Sequence, residues 1–135
     1  MDAPSETFRS EWEKQIKSHG QALIGVLANP PFTYSVGNHL RGLPELLLIG
    51  FTGPEIMVVL NAVAEVMVEN DRAFYNGELV DIGAKFPLKA ILAGTAAKEN
   101  YTIQTSNYYG HENYTVTQLL VPDLHGVYPD DPACA

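Results

Sequence analysis

The chain has 135 residues, 46% hydrophobic and 18% charged, with Lys+Arg 8 against Asp+Glu 16 and a net charge of −8. That length holds one domain with a core of its own, and the apolar content excludes an intrinsically disordered chain. The acidic balance excludes nucleic acid and an anionic membrane surface as partners, since both require a basic face.

The expected elements follow in chain order. Ser5 can cap a helix in which Phe8, Trp12 and Ile16 recur every fourth residue, with His19-Gly20 as its stop. Residues 21–28 read as a strand closed by Asn29-Pro30-Pro31. Residues 32–37 alternate aromatic and β-branched types, a second strand. After a loop at 38–44, residues 45–51 form a near-continuous apolar run, as in a strand covered on both faces. Thr52 and Glu55 suggest a capping box for a helix reaching Asn70 and burying Ile56, Leu60, Val63 and Met67. Asn76-Gly77 is a turn. Strands follow at 78–82 and 86–93, then a mostly helical stretch at 96–109 and a well-marked strand at 114–121. A turn at 122–126 leads to a loose tail over residues 129–135.

Three windows, residues 18–40, 46–54 and 113–122, contain no Asp, Glu, Lys or Arg. Each can be buried without desolvating a charge, so they are the expected central strands. The predicted fold class is α+β. It is a single domain with a mixed, mostly antiparallel β-sheet and two to three helices packed on it. The helix at 1–19 belongs to the same unit as residues 20–128. The N-terminus is acidic with no apolar signal core, and no apolar run is long enough to span a bilayer. Cys134 is the sole cysteine, and it lies in the tail, where a catalytic thiol has no fixed electropositive setting. The expectation is a soluble, cytoplasmic protein.

Two segments carry polar groups that folding alone does not require. The first runs from Tyr34 through Asn38, His39 and Arg41 to Glu45, a strand, a Gly-containing loop and the start of the next strand. The plain alternative is a hairpin-like connection in which Arg41 and Glu45 pair at the surface and His39 is solvated. The second runs from Gln118, an amide inside an apolar strand, to Asp123 and His125. Asp123 and His125 are two apart, so an extended chain projects them to one side. With His39 they would make a three-ligand set or an Asp-oriented general base. The spacing is too generic for a metal signature, and no metal site is assigned. An Asp after Pro at a strand end also reads as an ordinary turn. In Tyr108-Tyr109 the two rings cannot share one helix face, so one packs inward and the other reaches a cleft or solvent.

The run from Phe32 to Phe51, FTYSVGNHLRGLPELLLIGF, resembles the bacterial "domain of unknown function 4262" family. Tyr-Tyr-Gly at 108–110 and QLLVPDLHGVYP at 118–129 are similar to it too, so the resemblance covers about residues 31–132. Ser35 stands where Thr is commoner, and the Trp often found near the family's end is missing at 127–130. The resemblance implies a small soluble bacterial or phage-borne domain and transfers no activity. Its motif positions here are Tyr34, Gly37, His39, Gly42, Pro44, Glu45, Tyr109, Gln118, Pro122 and Asp123.

The functional expectation is a small-molecule-binding domain whose pocket forms between segment 34–45 and strand end 118–125. His39 and Asp123 are its candidate catalytic pair. Tyr34, Asn38, Arg41, Glu45, Tyr109, Gln118 and His125 are its candidate ligand-binding residues, with Arg41 pairing an anionic group. No cofactor is named by the sequence. The alternative is an acidic protein-interaction module, an inhibitor or immunity-type partner steered by the −8 charge. The apolar content is also compatible with a homodimer.

Overall fold

The computed structural model describes residues 6–131. The elements are α1 (Glu6–His19), β1 (Ala22–Val26), β2 (Phe32–Val36), β3 (Glu45–Ile49), α2 (Pro54–Asn70), β4 (Leu79–Val80), β5 (Leu88–Leu92), α3 (Thr95–Tyr101), α4 (Ile103–Tyr109) and β6 (Val116–Leu120). A 3₁₀ turn at Asn38–Arg41 lies between β2 and β3. The charge-free windows supply four of the strands in one sheet ordered β1-β2-β3-β6-β5-β4. The β3–β6 pair is parallel and central, and every other pairing is antiparallel. The chain is thus an α+β domain on a mixed, mostly antiparallel sheet.

Alternation along the strands builds two cores. Leu46 and Leu48 face α2, where they meet Leu60, Val63 and Met67. Leu47 faces the other way, with Tyr34, Tyr114 and Val116. Trp12 of α1 covers Ala22 and Val36 on that second side, with Ile16, Tyr108 and Tyr109 around it. β3 is therefore apolar on both faces because both faces are covered, and each fully buried Leu contributes roughly 1.5–3 kcal/mol. None of the described helices is long and apolar enough to cross a membrane.

Several expectations change. The first charge-free window gives β1, an edge strand, as well as β2. The Thr52–Glu55 capping box is absent. The N-cap of α2 is Gly53, with no side-chain cap bond, and Pro54 follows in the first turn. Gly53 has φ 113, a conformation glycine adopts readily. Glu55 then sits at the second helical position, one short of the box. The stretch at 96–109 is two helices, not one. It breaks at Thr102, a buried residue whose hydroxyl bonds the Tyr114 hydroxyl at 2.9 Å. The described residues thus hold four α-helices on the expected mixed sheet. Ser5 and Cys134 lie outside the described residues. Beyond the 122–126 turn, Tyr128 donates to the Pro87 carbonyl at 2.6 Å, and Asp130 meets Lys89 at 3.0 Å.

Candidate functional site

Glu45 opens β3 and is completely buried. A bare carboxylate there would cost several kcal/mol, so its partners decide whether the fold tolerates it. Ser35 Oγ donates to Oε1 at 2.6 Å, and the Asn38 N–H reaches the same oxygen at 3.3 Å. The His39 N–H donates to Oε2 at 3.0 Å, and the Tyr109 hydroxyl donates to that oxygen as well. Two of these donors are backbone groups at the start of the 3₁₀ turn, where unpaired N–H groups favour an anion.

The second contacts of these donors fix their direction. Ser35 Oγ accepts from the Leu46 N–H at 2.8 Å and from Asn38 Nδ2 at 3.2 Å, so its proton is left for Glu45. The Tyr109 hydroxyl accepts the Gly37 N–H at 2.7 Å and gives its own proton to the carboxylate. Burial raises the Glu45 pKa above the usual carboxylate range, while the bonds from Ser35, Tyr109, His39 and Asn38 pull it back. Burial likewise pushes the Tyr109 phenol well up, reinforced by the adjacent Glu45 charge, so that hydroxyl stays a donor.

The network extends to the α2 side of the sheet. Asn38 Nδ2 donates to Gln21 Oε1 at 2.7 Å, and Gln21 Nε2 donates to Asn61 Oδ1 at 3.0 Å and to the Leu60 carbonyl at 3.3 Å. Asn38 Oδ1 accepts two bonds from Arg41, from Nε at 3.1 Å and Nη2 at 2.6 Å. The Arg41 guanidinium lies on Gly20, where an added Cβ would stand 2.1 Å from Nη1. Gly37 is just as constrained: φ is +117, and a Cβ would sit 2.8 Å from Ile16. Burial lowers the Arg41 pKa and the Glu45 charge opposes that, so the group remains cationic. Arg41 and Glu45 therefore do not form the surface ion pair of the plain alternative. Arg41 has no carboxylate partner among the described residues.

Arg41 opens into a cleft of about 720 Å³ lined by Ser18 and His19 at the end of α1 and by Val58, Asn61, Ala62, Glu65, Val68 and Glu69 of α2. On the other face, α4 is tied to β2: the Tyr34 hydroxyl accepts the Gln104 N–H at 3.2 Å, and Thr105 donates to the Ser35 carbonyl at 2.8 Å. The His39 ring lies against Tyr109, His111 and Tyr114, with centroids 5.3, 5.6 and 6.5 Å away. His111 Nδ1 accepts the Asn113 N–H at 3.0 Å. The proton of the neutral ring is then on Nε2, which presents a donor, not a metal-binding lone pair. Tyr108 and Tyr109 divide as expected of adjacent positions. Tyr108 packs on Trp12 and Arg9, and Tyr109 reaches Glu45.

Asn38, His39, Arg41, Glu45 and Tyr109 thus gather at one end of the sheet, while Tyr34 lies mid-strand, opposite the same Leu47 that pairs with Gln118. Gln118, Asp123 and His125 do not join them. Glu45 pairs with Val116 at the start of the parallel β3–β6 ladder, and Gln118 sits half-buried beside Leu47 and Ile91. Asp123 is seven residues beyond Val116, roughly 20 Å along the strand direction. Parallel pairing sends His39 and Asp123 to opposite ends of the β3–β6 ladder. Asp123 instead closes a turn, accepting the His125 and Val127 N–H groups at 2.8 and 3.0 Å, and these bonds hold its pKa low. With Leu124 and Pro122 it edges an apolar groove of about 330 Å³ that also includes Phe51, Ile56 and Phe86. Gln21 and Asn61 escaped the sequence reading. Gln21 falls inside a charge-free window, and a lone amide there was the one available signal.

Fold and site define a small α+β domain organised round a buried carboxylate at one end of a mixed sheet. Residues 15–135 match the family model described as a domain of unknown function, DUF4262. The chain belongs to that family. No curated protein and no solved structure matches it.

Proposed function

We propose that the protein is a small-molecule-binding domain whose ligand enters the cleft between the end of α1, the 3₁₀ turn and α2, with an anionic group on Arg41. The observation that carries this reading is the state of Arg41. Two of its nitrogens are anchored on a buried Asn38, no carboxylate forms an ion pair with it among the described residues, and it faces a cleft of ligand size. An Arg pre-positioned in this way loses little freedom when it takes a carboxylate or phosphate. The reading moves the pocket away from Asp123 and His125 and keeps Arg41 and Asn38 as binding and positioning residues. It retains the expectation of a soluble, cytoplasmic setting. The acidic interaction module rests on net charge alone, whereas the small-molecule reading has a site.

A thermal-shift screen of carboxylate- and phosphate-bearing metabolites, followed by calorimetry of the hits, tests it. A hit present at 100 times its Kd should stabilise the fold by about 2.7 kcal/mol. Arg41→Gln should weaken that hit by roughly 10- to 100-fold, the worth of a charge-assisted contact. Hits that bind the variant as tightly as the wild type would remove Arg41 from the site and sink the reading.

A further inference from the structure

The cleft beside Arg41 has a second wall of opposite sign. Glu65 and Glu69 stand one turn apart on α2 and line it together with Val58, Ala62 and Val68, while Arg41 and His19 line the other side. Neither carboxylate is in an ion pair among the described residues, and neither is Arg41. The position of Arg41 along α2 is set by the hydrogen-bonded chain Arg41–Asn38–Gln21–Asn61. From Asn61, Glu65 is about 6 Å and Glu69 about 12 Å further along the helix axis, at 1.5 Å per residue.

These charges constrain the ligand. A simple anion would satisfy Arg41 but leave the two carboxylates without a partner, and a simple cation would leave Arg41 without one. An apolar body alone would leave all three charges unpaired. We infer that the ligand is dipolar, specifically a short peptide with free termini. Its carboxylate sits on Arg41, its ammonium on Glu65 or Glu69, and its side chains lie on Val58, Ala62 and Val68. Two to three extended residues span roughly 7–11 Å, between the rises of about 6 and about 12 Å that carry α2 from Asn61 to Glu65 and Glu69. A volume of about 720 Å³ accommodates such a molecule. This inference rests on Arg41 being the anion subsite and adds the class of molecule that brings the anion.

Calorimetry with trialanine in three forms, free at both ends, N-acetylated and C-amidated, tests it on the wild type, Arg41→Gln and the Glu65→Gln/Glu69→Gln double variant. Both Glu positions are exposed on α2, so the double variant retains the fold. The free peptide should bind most tightly. Amidation or Arg41→Gln should each weaken it about tenfold or more. Acetylation or the double Gln variant should each weaken it roughly 2- to 5-fold, since exposed ion pairs are worth less. Combining acetylation with the double variant should add nothing, because both remove one contact. If acetylated trialanine binds as well as the free form and still depends on Arg41, the dipolar ligand is overturned and the anion subsite stands. If binding is indifferent to amidation and to Arg41→Gln, both are overturned. If no form binds at millimolar concentration, the peptide inference is overturned. Arg41 is then judged by the metabolite screen alone.

Discussion

The two ends of the β3–β6 ladder present similar residue types to very different effect. At the starting end, an acid, an Asn, a His and an Arg lock into a buried network that reaches both faces of the sheet. At the far end, Asp123 and His125 serve an exposed turn, and the space beside them is an apolar groove. What separates them is the number of donors each acid can collect. Glu45 is met by Ser35, Tyr109 and the first N–H groups of a 3₁₀ turn, so it can be buried. Asp123 has two local backbone N–H groups and remains in water. A polar strand end becomes a candidate site when distant elements converge on it, and only the Glu45 end has that convergence.

The sharpest way to break this contrast is Glu45→Ala. It strands four donors in the interior and should cost about 3–5 kcal/mol, read as a lower urea midpoint at unchanged fold. Alkaline pH should attack the α4 face of the sheet next. Burial raises Tyr34 to about 12 and also raises Tyr109 and Tyr114, all three on the α4 side. Their folded pKa values lie above the unfolded value of 10.0, so their stabilisation is complete below that pH and is lost as pH rises through the folded values. For Tyr34 alone the loss is of order 2–3 kcal/mol. Thermal melts between pH 9 and about 12 should therefore slope downward, less steeply in Tyr34→Phe. Tyr109→Phe removes a donor from Glu45 and the acceptor of the Gly37 N–H. It should cost roughly 1–3 kcal/mol in a denaturant titration. Gly20→Ala adds a Cβ at positive φ and pushes the Arg41 guanidinium away. We expect about 1 kcal/mol of destabilisation together with a loss of anion binding larger than that change implies. At the far end, Asp123→Ala and His125→Ala should shift the melting temperature least and leave ligand affinity at Arg41 unchanged. An affinity loss in either variant would rejoin the two ends.

Much of this was legible in residue order. The charge-free windows marked four strands, β3 and β6 at the centre among them, because burying a charge is costly enough to purge charges from such segments. The period-2 pattern marked β2, and the apolar run at β3 signalled cover on both faces. The convergence of Asn38, His39, Arg41, Glu45 and Tyr109 was half legible. Their segments stood out as polar, but the reach of Tyr109 across 64 residues to Glu45 is tertiary. Strand direction was not legible. A period-2 pattern is the same for parallel and antiparallel pairing, and the parallel β3–β6 register is what parted His39 from Asp123. Glu45 misled for a related reason. A carboxylate bordering an apolar run usually faces water, and nothing local announces four donors from three other segments.

The central claim is that the buried network holds Arg41 still and leaves it open to an anionic ligand. NMR of the Arg41 Nε–H group, titrated with inorganic phosphate and then acetate, tests this most directly. We expect a separate signal slow to exchange, as its bond to Asn38 requires, which moves saturably on adding either anion and collapses to the solvent-exposed average in Asn38→Ala. A signal already averaged in the wild type, or one that ignores both anions, would contradict the account.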